Sequence, residues 1–134
     1  MTLTDDDSIV APWVMERVRD NFPMGITGAI GVLDRGEMVA GVVFDHLTGV
    51  CVTATIAIDG KKLPRRMIRA MFNYPYKYLG VDKILVYVNE ANKASTKLAK
   101  RLGFTIEAVV EGVYADGSMF ILSLTKQDCI WIRS

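Results

Sequence analysis

The run Val88-Asn89-Glu90-Ala91-Asn92-Lys93-Ala94-Ser95 holds the residue types and spacing best suited to chemistry. Ser95 stands at i, with Leu98, Ala99 and Leu102 at i+3, i+4 and i+7, so the pattern predicts a helix that turns the Ser95 hydroxyl inward. At the N-terminal end of such a face a hydroxyl lies near backbone N–H groups and the positive end of the helix dipole. It can hydrogen-bond, or protonate, a group that becomes negative there. The same residues also read as a helix start, with Asn92 as N-cap and Ser95 at the third helical position.

A second cluster is basic. In Ile58-Asp59-Gly60-Lys61-Lys62-Leu63-Pro64-Arg65-Arg66 the cations Lys61, Lys62, Arg65 and Arg66 gather where a helix begins. Positive charge at a helix N-terminus opposes the dipole, so this placement favours an anionic ligand over helix stability as its cause. The charge division along the chain agrees. Residues 59–101 hold eleven basic and three acidic residues, a balance of +8, while the rest holds five basic and twelve acidic, a balance of −7. The net charge of +1 conceals this division. Candidate proton acceptors lie mostly in the acidic remainder: Glu107, Glu111, Asp45 and His46. Glu111, followed by Gly112 and Tyr114 near a strand end, is placed to face a cleft that Tyr87 or Tyr114 would also line. His46, beside Leu47-Thr48-Gly49, reads most simply as a turn residue.

Other chemistries find no support. One histidine and two distant cysteines, Cys51 and Cys129, make no zinc or iron cluster, and we expect no metal. Phosphate-loop, dinucleotide and nucleophile-elbow motifs are missing. No run of apolar residues is long enough for a membrane span. The acidic start Asp5-Asp6-Asp7 is unlike a signal peptide, so we expect a cytoplasmic protein with reduced thiols, Cys51 and Cys129 both in the core. At 134 residues, 51% of them hydrophobic, the chain should form a single domain over 1–134.

The elements that must position these groups follow from periodicity. A helix is expected over about Asp6–Asp20, with Ile9, Trp13, Val14 and Val18 inward and Asn21 and Pro23 as its end. Three strands follow, Ala29–Leu33, Met38–Phe44 and Val50–Ile58, with turns at Asp34-Arg35-Gly36 and His46–Gly49. The second helix starts near Leu63 with Pro64 in its first turn, places Leu63, Met67, Met71, Tyr74 and Tyr78 on one face, and kinks or ends at Pro75. The apolar run in Lys83–Asn89 predicts a strand buried on both faces. A third helix, Asn92–Leu102, stops at Gly103. Two strands, Phe104–Val110 and Met119–Thr125, close the chain around Ala115-Asp116-Gly117. The order is α+β: a mixed, mostly antiparallel sheet flanked by helices, with a parallel pair allowed across the second helix. Trp131 is expected to cover an edge or mark an oligomer contact.

Asn92-x-x-Ser95, a short helix, Leu102-Gly103-Phe104 and Glu107 together resemble the GNAT superfamily of acyl-CoA-dependent N-acetyltransferases, nearest its ribosomal-protein N-terminal acetyltransferase branch. The ending, with Asp128-Cys129 and Trp131, resembles short phage-encoded members. The motif similarity spans about Leu79–Thr125, and the element order agrees over nearly the whole chain. The resemblance implies a twisted sheet whose third and fourth strands splay to admit pantetheine. It also implies direct transfer of an acetyl group from acetyl-CoA to a primary amine on a small molecule or peptide. Ser95 would hydrogen-bond or protonate the departing thiolate, and Asn92 would lie against the pantetheine arm; the base for the amine comes from the candidates above, of which Glu111 is the choice. Cofactor contacts would come from Ile56, Ala57, Ile58, Lys61, Lys62, Arg65, Arg66, Asn92 and Ser95. The family's phosphate signature, Arg/Gln-x-x-Gly-x-Gly/Ala, is reduced here to Gly60, and Pro64 removes one N–H. Two further readings share this fold. One is a nucleic-acid-binding or nucleobase-modifying protein, using Arg65, Arg66 and Arg69 with Tyr74, Tyr76 and Tyr78 for stacking. The other is a non-catalytic module. A homodimer is a further expectation.

Overall fold

In chain order the elements are β1 (Thr2–Thr4), α1 (Asp7–Val18), β2 (Gly28–Asp34), β3 (Glu37–Asp45), β4 (Cys51–Ile58), α2 (Arg65–Asn73), β5 (Lys83–Asn89), α3 (Lys93–Leu102), β6 (Thr105–Tyr114) and β7 (Gly117–Thr125). They are taken from a computed structural model, which describes residues 1–18, 25–60 and 62–132. The strands form one sheet in the order β1-β2-β3-β4-β5-β7-β6. Only β4 and β5 pair in parallel, across the α2 crossover, and the other neighbours are antiparallel. This is the mixed, mostly antiparallel α+β architecture the sequence predicts, with one addition. The three-residue β1 pairs with β2 through Thr2↔Leu33 to Thr4↔Gly31.

Alternation divides the sheet into two faces. Val42, Phe44, Val52, Ala54, Ile84, Val86, Leu122 and Leu124 point toward α2 and α3 in the main core. Ala29, Val43 and Ala57 point the other way, toward α1. On that side α1 buries Val10, Ala11 and Val14, with Trp13 and Val18 packed against them as expected, whereas Ile9 is exposed and Val10 takes its place. The reason is the surface it meets. Gly31 and Gly41 are cross-strand partners, and a Cβ on Gly41 would come within 2.8 Å of Val14 Cγ2. The paired glycines make a shallow floor that accepts the branched side chains of the helix. The expected helix end at Asn21 and Pro23 lies outside the described residues.

Among the described residues α1 packs chiefly against β2, β3 and β4, and leaves its side of β5 largely open. Ile84 and Val86 are buried in the main core, but Tyr87 is 47% exposed. The apolar run of β5 is therefore buried on one face only, not on both as expected.

Pro64 caps α2 from outside, with φ −59° and ψ 148°, instead of occupying its first turn. The α-helix ends at Asn73 and widens into a π turn over Tyr74–Tyr78. Pro75 has no N–H for an i→i−4 bond, and its ring clashes with the preceding turn. The wider turn absorbs both problems, and Leu79 N–H donates to Tyr74 O at 3.0 Å. The extra residue rotates Tyr78 out to 76% exposure, stacked on Tyr74, instead of inward as α-helical spacing predicts. Tyr76 goes inward and is 1% exposed, its hydroxyl donating to Leu124 O at 2.6 Å. Burial pushes that phenol far above its ordinary range, so it remains a neutral donor.

Trp131, in a short 3-10 turn over Ile130–Ile132, lies between α2 and the end of α3. Its ring stacks on Phe72, its indole N–H donates to Leu102 O at 2.8 Å, and its carbonyl accepts from Arg69 Nε at 3.1 Å. Trp131 thus ties two helices of its own chain together. Cys129 is fully buried and Cys51 half-buried, with the Cys51 thiol raised by burial. No helix among the described residues is long and apolar enough to cross a membrane.

Candidate functional site

The parallel ladder between β4 and β5 is short. It joins Cys51↔Lys83, Val52↔Ile84 and Thr53↔Leu85 and then stops, although β4 continues to Ile58 and β5 to Asn89. Beyond Thr53 the strands separate and enclose a cleft of about 1250 Å³, with Ala54–Ile58 along one wall and Val86–Asn89 along the other. The cleft is covered by α3 and its N-cap, through Asn92, Ala94, Ser95 and Leu98 and on to Leu102. Gly60 and Lys62 stand at the β4 end, and the lining also includes Arg17, Tyr87, Arg101, Tyr114, Asp116, Asp45 and His46. The interior edges of β4 and β5 there lack a strand partner, and a ligand with amide groups could complete them.

The start of α3 is held firmly. Asn92 is its N-cap, and its Oδ1 accepts the Ser95 N–H at 3.1 Å. Gly103, in the left-handed region at φ 108°, ends the helix. Ala99 and Leu102 are buried and Ser95 is half-buried on the same face, as the spacing predicts. The capping and cleft-lining roles of Asn92 and Ser95 therefore coexist. Asn92→Ala should cost about 1 kcal/mol of stability through loss of the cap, read as a fall in the urea midpoint. An unchanged midpoint would contradict the cap.

A clamp not legible in the sequence holds the β5–α3 connection. Asn89 Nδ2 donates to Asp116 Oδ1 at 2.8 Å, Glu90 N–H donates to Ser118 O at 2.8 Å, and Ser118 N–H donates back to Glu90 Oε1 at 3.2 Å. Gly117 permits this approach, because a Cβ there would stand 2.7 Å from Asn89 Oδ1. The glycine in the Ala115-Asp116-Gly117 turn was the only sequence hint.

The remaining expected site residues divide. Ile56, Ala57, Ile58, Lys62, Asn92 and Ser95 line the cleft, and so do Tyr87 and Tyr114. Lys61 lies outside the described residues. Arg65 and Arg66 are not among the lining residues. Arg65 donates to Ile130 O at 3.3 Å and lies over the Trp131 ring, while Arg66 donates to Met1 O at 3.4 Å. They help hold the chain termini against α2. Glu111 also falls outside the lining, on the exposed strand β6. A bulge explains this placement. Between the pairs Val110↔Met119 and Tyr114↔Gly117, β6 advances four positions against two on β7, with Gly112 at φ 77°. The re-aimed strand delivers Tyr114 to the cleft in place of Glu111. Glu107 is paired with Lys83. Asp45 and His46, the other two candidate bases, both line the cleft.

Comparison with known proteins agrees with this geometry. Residues 3–105 match the family model described as an acetyltransferase (GNAT) domain. A search of curated protein sequences finds no significant match. Among solved structures, the spermidine N-acetyltransferase SpeG F149A mutant from Vibrio cholerae aligns with a TM-score of 0.73 at 15% identity, over 93% of this chain and 95% of that one. The ribosomal-protein-S18-alanine N-acetyltransferase from Escherichia coli aligns with a TM-score of 0.63 at 20% identity, over 92% of each chain. Campylobacter jejuni N-acetyltransferase PseH, solved in complex with acetyl coenzyme A, aligns with a TM-score of 0.59 at 14% identity, over 87% of this chain and 77% of that one.

Proposed function

Because the chain belongs to the GNAT acetyltransferase family, we propose that it transfers an acetyl group from acetyl-CoA directly to a primary amine within a ternary complex. The observation that carries this reading is the interrupted ladder: β4 and β5 part after Thr53 and Leu85 and leave two unpaired strand edges under the N-terminus of α3. The residues present fit the cosubstrate. Ile56, Ile58 and Leu98 offer apolar walls for a pantetheine arm, and the freed backbone of Ala54–Ile58 offers hydrogen bonds to its amides. Gly60, at φ 68°, and Lys62 receive the pyrophosphate at the β4 end. Acetyl-CoA supplies the activated acyl group as a thioester. Asn92, whose Oδ1 is committed to the cap, turns its amide NH₂ toward the arm, and the Ser95 hydroxyl donates to the sulfur as it becomes a thiolate. The face of the sheet toward α1, carrying Tyr87, Asp45 and His46, receives the amine.

Native mass spectrometry and calorimetry test the first half: acetyl-CoA should be retained and should release or absorb heat on binding. Thiol release from acetyl-CoA tests the second, with an alanine-led peptide, spermidine and a lysine-containing peptide as acceptors. No retention and no heat at millimolar acetyl-CoA, together with no thiol release above the acceptor-free rate for all three amines, would refute the reading.

A further inference from the structure

Among the candidate bases, Asp45 and His46 stand apart by geometry. Asp45 ends β3 and is opposite Thr53, the last β4 residue paired to β5, so it sits at the apex of the splay. Two positions from Val43, it points to the α1 side of the sheet. Asp45 is buried, 7% exposed, and its Oδ1 has no hydrogen-bond partner among the described residues. An unpaired buried carboxylate oxygen is costly unless something charged or protonated comes to it. Its neighbour of that kind is His46, with Nδ1 3.2 Å from Oδ1, within ion-pair reach. The imidazole itself remains open to the cleft and to solvent. His46 holds φ at 51°, in the left-handed region, which turns the chain directly after the strand.

We propose that Asp45 and His46 form the proton-accepting pair for the acceptor amine, with His46 as the catalytic base and Asp45 as its positioning residue. This rests on the acetyl-transfer reading above and names the group that prepares the nucleophile. An amine at neutral pH arrives as an ammonium ion and cannot attack. His46 Nε2 takes one proton, while Asp45 Oδ1 closes on Nδ1–H and stabilises the imidazolium. Such contacts are commonly loose before substrate binds and tighten in the complex. The freed amine forms the C–N bond to the thioester carbonyl, the C–S bond breaks, and the proton shed by the acylated nitrogen equals the one the thiolate gains through Ser95. The proton held on His46 leaves to solvent. The balance is one ammonium and one thioester in, one amide, one thiol and one proton out. Distance along β4 is consistent with this division. From Ile58 to Thr53 the strand covers roughly 17 Å at about 3.3 Å per residue, so an arm anchored near Gly60 can carry its thioester toward the apex.

The test uses the intact protein and the fastest of the three acceptors above. His46→Gly suits the positive φ and leaves a space the size of the ring. It should lower kcat/KM about 100-fold, keep acetyl-CoA retention in native mass spectrometry, and regain at least about tenfold activity with free imidazole, as expected for a missing base. Asp45→Asn should also slow transfer, and the double variant should be no slower than His46→Gly alone, because Asp45 acts through His46. Wild-type kcat/KM in His46→Gly, a loss with no imidazole response, or additive losses in the double variant would each overturn the pair. Loss of acetyl-CoA retention and of transfer in the wild type would instead overturn the reading beneath it.

Discussion

Ser95→Ala should lower kcat for acetyl transfer about 100-fold, the scale of a positioned proton donor, with little change in KM for acetyl-CoA. The structure makes this a clean substitution. The Ser95 main-chain N–H holds the Asn92 cap at 3.1 Å, and that bond does not need the side chain. Alanine has the best helix propensity of any residue, so the first turn of α3 should persist. The hydroxyl lost is half-buried on the cleft side, above the unpaired edges of β4 and β5. A thiol-release assay measured at several acetyl-CoA concentrations separates kcat from KM. A wild-type kcat would mean that the thiolate leaves without help from Ser95, and a raised KM alone would make Ser95 a binding group only.

Phe104→Ala should have the largest effect on stability, about 3–5 kcal/mol. Phe104 is 2% exposed and follows Gly103, so the helix stop delivers its ring into the core. Its ring lies 6.3 Å from that of Phe72, which in turn stacks on Tyr76 and Trp131. One small apolar cavity of about 20 Å³ already borders Phe72, Phe104 and Ile84, and truncation would enlarge it. A domain of this size has about 5–15 kcal/mol in all, so a large part of the total is at risk. Urea denaturation should show a much lower midpoint at unchanged slope. A shift corresponding to less than about 1 kcal/mol would mean that the aromatic group repacks.

These two residues were legible in the sequence for the same reason. Asn92 and Gly103 bracket a short amphipathic helix, and local signals fix both its inward face and the residue that follows it. The strands of the sheet and the Pro75 interruption are local in the same sense. Other features depend on partners remote in sequence. Three residues at Thr2–Thr4 have no period to detect, and β1 exists because β2 offers an edge. The burial of Val10 in place of Ile9 follows from Gly31 and Gly41 coming together across two strands. Tyr78 was misplaced because a π turn adds a residue that α-helical spacing omits. In the site, Arg65 and Arg66 bind carbonyls at the two ends of the chain, a choice invisible in a basic run. Glu111 was separated from the cleft by a bulge that only Gly112 announces. Asp45, one of four candidate bases in the sequence, stands apart from the other carboxylates only once register sets it opposite Thr53.

The short β4–β5 ladder has a consequence for the folded state itself. Three residue pairs join a four-stranded plate to a three-stranded one, and beyond Thr53 and Leu85 the facing edges of β4 and β5 lack a strand neighbour. Acetyl-CoA lying there would act as a removable strand, splinting the two plates. Folding and ligand supply would then be linked: at a free concentration 100-fold above its Kd, the ligand would add about 2.7 kcal/mol to stability. Amide hydrogen exchange along Ala54–Ile58 should slow on loading, more than at the β2–β3 pairing, which is complete without it. The abundance of the folded protein would then report the acetyl-CoA level around it.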